Sequence, residues 1–147
     1  MKPTLPNAVI CDIDGTLAHM NGRSPYDPTQ YSEDSKDDFV HRLFSLLTSS
    51  GEVRIIVSGR SDEYRGITEK WLKDHGITYQ HLFMRDHKRV DDKGNRVNDA
   101  IIKREIYEEH IKPFYNVICT IDDRDRVVNM WRNELGLKCL QVADGDF

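Results

Sequence analysis

The sequence predicts one α/β domain, a doubly wound parallel sheet of about five strands with helices on both faces. Three observations carry this. Short apolar runs rich in β-branched residues alternate with helix-length segments, and parallel neighbours need a crossover that is usually a helix. At 147 residues the chain can bury one good core and is too short for two. Polar clusters fall just after the apolar runs, where a doubly wound sheet holds its ligand, beyond the carboxyl ends of its strands.

Taken in order, Ala8-Val9-Ile10-Cys11 reads as the first strand, running into Asp12-Ile13-Asp14-Gly15-Thr16-Leu17. His19 to Ser32, with Asn21-Gly22, Pro25 and Pro28, reads as a loop. From Glu33 the spacing of Phe39, Val40, Leu43, Phe44, Leu46 and Leu47 predicts a helix, with Ser32 as its cap and Ser49-Ser50-Gly51 as its end. Val53 to Val57 is a second strand, closed by Ser58-Gly59-Arg60. Ser61 or Asp62 caps a second helix carrying Tyr64, Ile67, Trp71 and Leu72 and stopping at Gly76. Thr78 to Met84 is a weaker third strand. Ile101, Ile102, Ile106 and Tyr107 mark a helix that ends before Pro113; Asn116 to Ile121 is a fourth strand, Asp125 to Leu135 a helix, and Lys138 to Val142 a fifth strand. Both Trp71 and Trp131 sit at helical spacing with apolar neighbours and read as core.

Composition excludes several classes. With 38% apolar and 31% charged residues and a net charge of −4, the chain has no global basic signal for nucleic acid, so any polyanion site must be local. No apolar run approaches the ~20 residues of a membrane span, and Met1 to Pro6 lacks a signal-peptide core, so the expected location is cytoplasmic. Cys11, Cys119 and Cys139 are odd in number and show no CxxC spacing, which favours buried reduced thiols. The six histidines show no ligand pairing.

Three strand ends bear complementary chemistry: Asp12 and Asp14 after the first, Ser58-Gly59-Arg60 after the second, Asp122-Asp123-Arg124 after the fourth. A carboxylate can attack phosphorus and divide hydrolysis into two easier steps through an aspartyl-phosphate; Asp12, first at the strand end, is the candidate nucleophile. Asp14 is placed to protonate the leaving alkoxide and later to activate water. Carboxylates repel a phosphate dianion, so a Mg²⁺ ion is expected on Asp12, Asp14, Asp122 and Asp123. Ser58 offers a hydroxyl to a phosphoryl oxygen. A lysine should neutralise the transferred group, and Lys103 is best placed, with Lys88 and Lys93 left open by spacing.

These residues resemble the haloacid dehalogenase superfamily of phosphohydrolases: Asp12-Ile13-Asp14-Gly15-Thr16 is similar to its first motif, Ser58 to its second, Lys103 to its third and Asp122-Asp123 to its fourth. The likeness is closer to the phosphatase domain of phage-type polynucleotide kinase/3′-phosphatases, through the run Asp12 to Arg23, Val57-Ser58-Gly59-Arg60, Ile102-Lys103-Arg104-Glu105-Ile106, Ile121-Asp122-Asp123-Arg124 and Gln141 to Phe147. The resemblance implies one such domain over residues 1–147, a Mg²⁺-dependent phosphohydrolase that removes the phosphate from DNA or RNA 3′ ends, with the 2′,3′-cyclic phosphate as a second substrate. By the same likeness Arg23 and Arg60 contact phosphate or substrate.

Two departures shape the expectation. Bifunctional members carry a kinase domain with a P-loop, and nothing here matches G-x-x-x-x-G-K-[ST]; kinase activity is not expected of this chain, and a kinase stands as partner domain or chain only by resemblance. The chain reads either as a stand-alone phosphatase or as part of a longer protein. The gaps between motifs leave no room for a large cap, and an open site suits a polymer end. Tyr26 and Tyr31, on the loop after the nucleophile, are candidates to stack an end nucleotide. The basic residues from Arg85 to Arg96 suit a nucleic-acid backbone, but their interleaving with Asp91, Asp92 and Asp99 favours a solvated loop. The rival within the superfamily is a phosphatase of small nucleotides or sugar phosphates. A receiver-like phosphoaspartate module is excluded because its acceptor Asp would follow the third strand, which here ends in Phe83-Met84-Arg85.

Overall fold

The computed structural model describes residues 4–24 and 27–147; Pro25 and Tyr26, with the stacking role expected of Tyr26, lie outside them. The strands are β1 (Asn7–Cys11), β2 (Ala18–His19), β3 (Ser35–Lys36), β4 (Val53–Ser61), β5 (His81–Arg85), β6 (Asn116–Asp122) and β7 (Cys139–Gln141). Five of them form one sheet in the order β5-β4-β1-β6-β7, with every neighbouring pair parallel. Because the order runs outward from β1 in both directions, the topological switch lies beside the carboxyl end of β1. That is where Asp12 stands.

Four helices, α1 (Asp38–Leu47), α2 (Arg65–Asp74), α3 (Asp99–Ile106) and α4 (Asp125–Asn129), cover the sheet. Alternation along β1 and β4 feeds two cores. On one face Val9, Cys11 and Ile56 meet Val40 and Phe44 of α1 and Trp71 and Leu72 of α2. On the other, Ala8, Ile10 and Ile55 meet Val127 and Val128 of α4 and the wider, π-type turns Tyr107–Ile111 and Met130–Glu134 that prolong α3 and α4. The expected doubly covered sheet, without a large cap, is the fold observed. Both tryptophans are core, and the three cysteines are buried and unpaired. Among the described residues no helix is long and apolar enough to cross a membrane.

Local chemistry moves several boundaries. The first helix starts at Asp38, capped by the Asp37 carboxylate on the Val40 N–H, and not at Glu33. Residues Pro28–Glu33 instead form a 3₁₀ turn. The chain then extends to pair β3 with β2, and the Trp71 indole N–H fixes that passage on the Asp34 carbonyl at 2.9 Å. Helical spacing overstates burial, since Phe39, Leu46, Ile67 and Ile101 are exposed. Regular pairing of β5 begins at His81, just after Gln80, which gives its backbone N–H to the Arg54 carbonyl and takes the Arg54 N–H on its side-chain carbonyl. At the other end β4 outruns the expected strand: its register to β5 shifts between Ser58 and Ser61, a bulge that re-aims Arg60.

Candidate active site

Asp12 leaves β1 with its N–H on the Ile121 carbonyl of β6, which ties the candidate nucleophile to the strand carrying Asp122. Gly15 follows at φ +81°, and a β-carbon there would lie 2.1 Å from Asp123 Oδ2, so only glycine lets this turn lie against the acidic strand end. The Asp12 carboxylate accepts from Lys103 Nζ at 2.8 Å and from Thr16 Oγ1 at 3.0 Å. Lys103, buried on α3, also donates to Asp122 at 2.9 Å. The other Asp122 oxygen takes the Asp123 N–H at 2.9 Å, and Trp131 Nε1 reaches Asp122 at 3.4 Å from the π-type turn that prolongs α4.

Asp12, Asp122 and Asp123 each turn an oxygen to within 4.8 Å of the others, all buried. Among the described residues one lysine faces three carboxylates. Burial, then the charge of Asp122, pushes the Asp12 carboxyl far above its ordinary value, against the pull of Lys103. Burial and Asp122 likewise raise Asp123 to about 6. Burial would lower Lys103, but Asp12 and Asp122 outweigh it and hold the ammonium charged. Three hard oxygen donors with unbalanced negative charge fit a divalent cation such as Mg²⁺.

Asp14 departs from the expected set. Although it lies two residues from Asp12, the turn at Ile13 sends its carboxylate away from the acidic cluster and onto two guanidiniums. Arg60 grips it with Nη2 at 2.7 Å and Nε at 3.0 Å, and Arg23 Nη2 adds 2.9 Å. Burial works to raise this carboxyl; the charge and hydrogen bonds of Arg60, then of Arg23, overcome it and hold Asp14 below the usual Asp range. The side chain of Asp14 is therefore not among the grouped metal-type oxygens.

Two residues unassigned from the sequence complete the frame. Asp34 accepts from Arg23 Nε at 2.7 Å and Nη2 at 2.6 Å and from Arg60 Nη2 at 3.1 Å, closing a ring of two carboxylates and two guanidiniums. Asp99 pairs with Arg85, Arg96 and Arg124, the last at 2.6 Å. It stands four residues before Lys103, on the same helix face, and that spacing was a readable signal. Tyr31, expected to stack a nucleotide, is 4% exposed, and its ring underlies Arg60 at 3.8 Å and Arg23 at 4.7 Å. It is a floor for the arginines. Arg85, expected in a solvated loop, is buried at the end of β5, while the charged stretch beyond it is largely exposed, as expected. Ser58 is fully buried, its Oγ accepting the Arg60 N–H at 3.1 Å. A pocket of about 120 Å³ brings Asp12, Asp14, Arg60, Lys103, Asp123 and Arg124 onto one wall system. Lys88 and Lys93 are exposed and do not line it.

Residues 6–147 match the family described as the polynucleotide kinase PNKP phosphatase domain. A chain solved in a Pnkp1/Rnl/Hen1 complex is 42% identical at a TM-score of 0.89, over 99% of this chain and 49% of that one. A protein of Autographa californica nuclear polyhedrosis virus named for a bifunctional polynucleotide kinase/RNA ligase is 33% identical over 87% of this chain and 18% of its own length. A class C acid phosphatase from Bacillus anthracis, 14% identical with a TM-score of 0.70 over 99% of this chain and 69% of its own, shares the fold. The chain thus spans about half of the first relative and under a fifth of the second. It belongs to the family of polynucleotide kinase PNKP phosphatase domains.

Proposed function

We propose that residues 1–147 form one phosphatase domain that removes the 3′-phosphate from DNA or RNA ends through an aspartyl-phosphate on Asp12, with the 2′,3′-cyclic phosphate as a second substrate. The observation that carries this is the buried Asp12 carboxylate at the switch point, held by Lys103 and Thr16 in a pocket that also presents Arg60. The match to polynucleotide-kinase phosphatase domains supports the nucleic-acid end, and the kinase, ligase and repair-complex names of longer relatives support partner modules on the same or another chain.

Asp12, Asp122 and Asp123 would hold Mg²⁺, which when bound offsets the repulsion between these carboxylates and the phosphate dianion. The remaining steps belong to the chain. Thr16 and Lys103 aim the Asp12 carboxylate and share its charge, and Lys103 faces the charge that develops on the transferred group. An incoming phosphate competes with Asp14 for Arg60 and Arg23. As their grip moves to phosphate, the carboxyl of Asp14 rises towards a range in which it can give a proton to the leaving alkoxide. As a base in the second step it takes a proton from the water that attacks the Asp12 phosphate. Ser58 does not line the pocket; through the hydrogen bond its Oγ accepts from the Arg60 N–H it would hold the Gly59–Arg60 bend that faces the phosphoryl oxygens.

The test is phosphate release with Mg²⁺ from a 3′-phosphorylated oligonucleotide, its 5′-phosphorylated isomer and mononucleotides. The expected result is strong preference for the 3′-phosphorylated oligonucleotide. Equal or better turnover of mononucleotides would keep the phosphatase and overturn the polymer substrate.

The acidic cluster gives a second expected result, with a definite sign. A carboxyl raised on folding favours the fold while protonated and loses that contribution as pH climbs through its folded value, for Asp123 between about 4 and 6. A cation on the same oxygens competes with the proton. Saturating Mg²⁺ should therefore raise Tm more at pH 7.5 than at pH 5 in matched thermal melts. An equal shift at both pH values would separate cation binding from these carboxyls.

A further inference from the structure

We propose that Tyr64 is a specificity-determining residue, the platform on which the base of the terminal nucleotide stacks while its 3′-phosphate reaches Asp12. The inference rests on the polynucleotide reading above. It starts from size. The catalytic pocket, about 120 Å³, is well under the ~300–1,000 Å³ of pockets that enclose a drug-sized ligand, so it takes the phosphoryl group and the edge of a sugar and leaves the rest of the nucleotide outside.

What lies outside is defined. Tyr64 ends the short 3₁₀ turn Asp62–Tyr64 that follows β4, capped by Ser61. It lines the catalytic pocket and also borders a second cleft of about 310 Å³ formed with Pro28, Thr29, Ser32 and Ile67. Among the described residues no charged side chain lines that cleft, and its apolar wall includes Ile67, 44% exposed on α2. An uncharged wall beside a phosphate pocket suits a flat heterocycle better than a second phosphate. The ring of Tyr64 is also held in place: it meets Tyr31 edge-on, centroids 6.1 Å apart at 85°, and Tyr31 is itself buried beneath Arg60 and Arg23. The base platform and the guanidiniums that grip phosphate thus share one buried ring, which sets their spacing before substrate arrives.

The experiment compares kcat/KM on two 3′-phosphorylated oligonucleotides that differ only in whether the last nucleotide carries a base or is abasic. Their ratio cancels any loss of folded enzyme. The wild type should favour the base-bearing end by at least about tenfold, the order that stacking on an aromatic side chain supplies. In Tyr64→Ala the ratio should fall towards one, and in Tyr64→Phe, which keeps the ring, it should stay near the wild-type value. A wild-type ratio near one, or an undiminished ratio in Tyr64→Ala, overturns the platform while leaving the 3′-phosphatase reading intact. Absence of phosphate release from either oligonucleotide by wild type, alongside turnover of mononucleotides, overturns the polynucleotide reading and the platform with it.

Discussion

Asp12→Asn is expected to lower phosphate release at least about a thousandfold without lowering Tm. The amide keeps the size of the side chain and can still accept from Thr16 or Lys103, but it is a poor nucleophile and forms no acyl-phosphate of comparable reactivity. Stability should move little, or upward, in EDTA. Asp12 shares a buried space with Asp122 and Asp123 against a single ammonium, so its ionised form is the repelled member of the group; Lys103 keeps Asp122 as a partner after the change. Steady-state rates and melts on the same preparation check both halves. Activity within tenfold of wild type would remove Asp12 from the reaction, and a large fall in Tm would make its role structural.

The second large effect lies at Asp34, which does not line the catalytic pocket. Its carboxylate takes three hydrogen bonds from Arg23 and Arg60, both buried, and stands at the end of the passage fixed by Trp71. Asp34→Ala leaves Asp14, among the described residues, as the one carboxylate shared by two buried guanidiniums. Breaking a buried ion pair by removing one partner costs about 3–5 kcal/mol, which for a chain of this size is on the order of 10 °C in Tm. The remaining Asp14 contacts tighten, so phosphate competes less well for both arginines, and turnover should fall about a hundredfold even at temperatures where the variant is folded. A melt followed by kcat and KM at 15 °C separates the two effects. Full activity in a folded Asp34→Ala variant would show that Arg23 and Arg60 need no brace.

How far the sequence discloses the site follows from how local each signal is. Asp12, Arg60 and Asp122 sit next to apolar runs that can only be strands, and a parallel sheet brings such strand ends to one edge; no distant information is needed. Lys103 is legible because its helix precedes β6. The partition of the two motif carboxylates is not legible, because two residues of chain do not say that Ile13 turns Asp14 towards Arg60, 46 positions away. Asp34 falls in the polar first turn of the helix expected from Glu33, where a buried ion-pair partner and a solvated helix-start carboxylate look alike. Tyr31 failed as a free platform for a related reason: its burial is decided by Arg23 and Arg60, not by its neighbours in sequence. Phe39 and Leu46 fit a helical stripe that is wider than the sheet they cover, and a periodicity has no knowledge of that width.

The place of β1 at the centre of the sheet also sets a timetable for the nascent chain. Its neighbour on one side, β4, follows soon, but β6 emerges roughly a hundred residues later, about 5–20 s at ordinary rates of synthesis. Through that interval Ala8 to Cys11 has one open edge. The same late strand delivers Asp122 beside Asp12, so the event that removes an aggregation-prone edge is also the one that assembles the acidic centre. Until β6 emerges, the domain therefore has both an open edge at β1 and an incomplete acidic cluster.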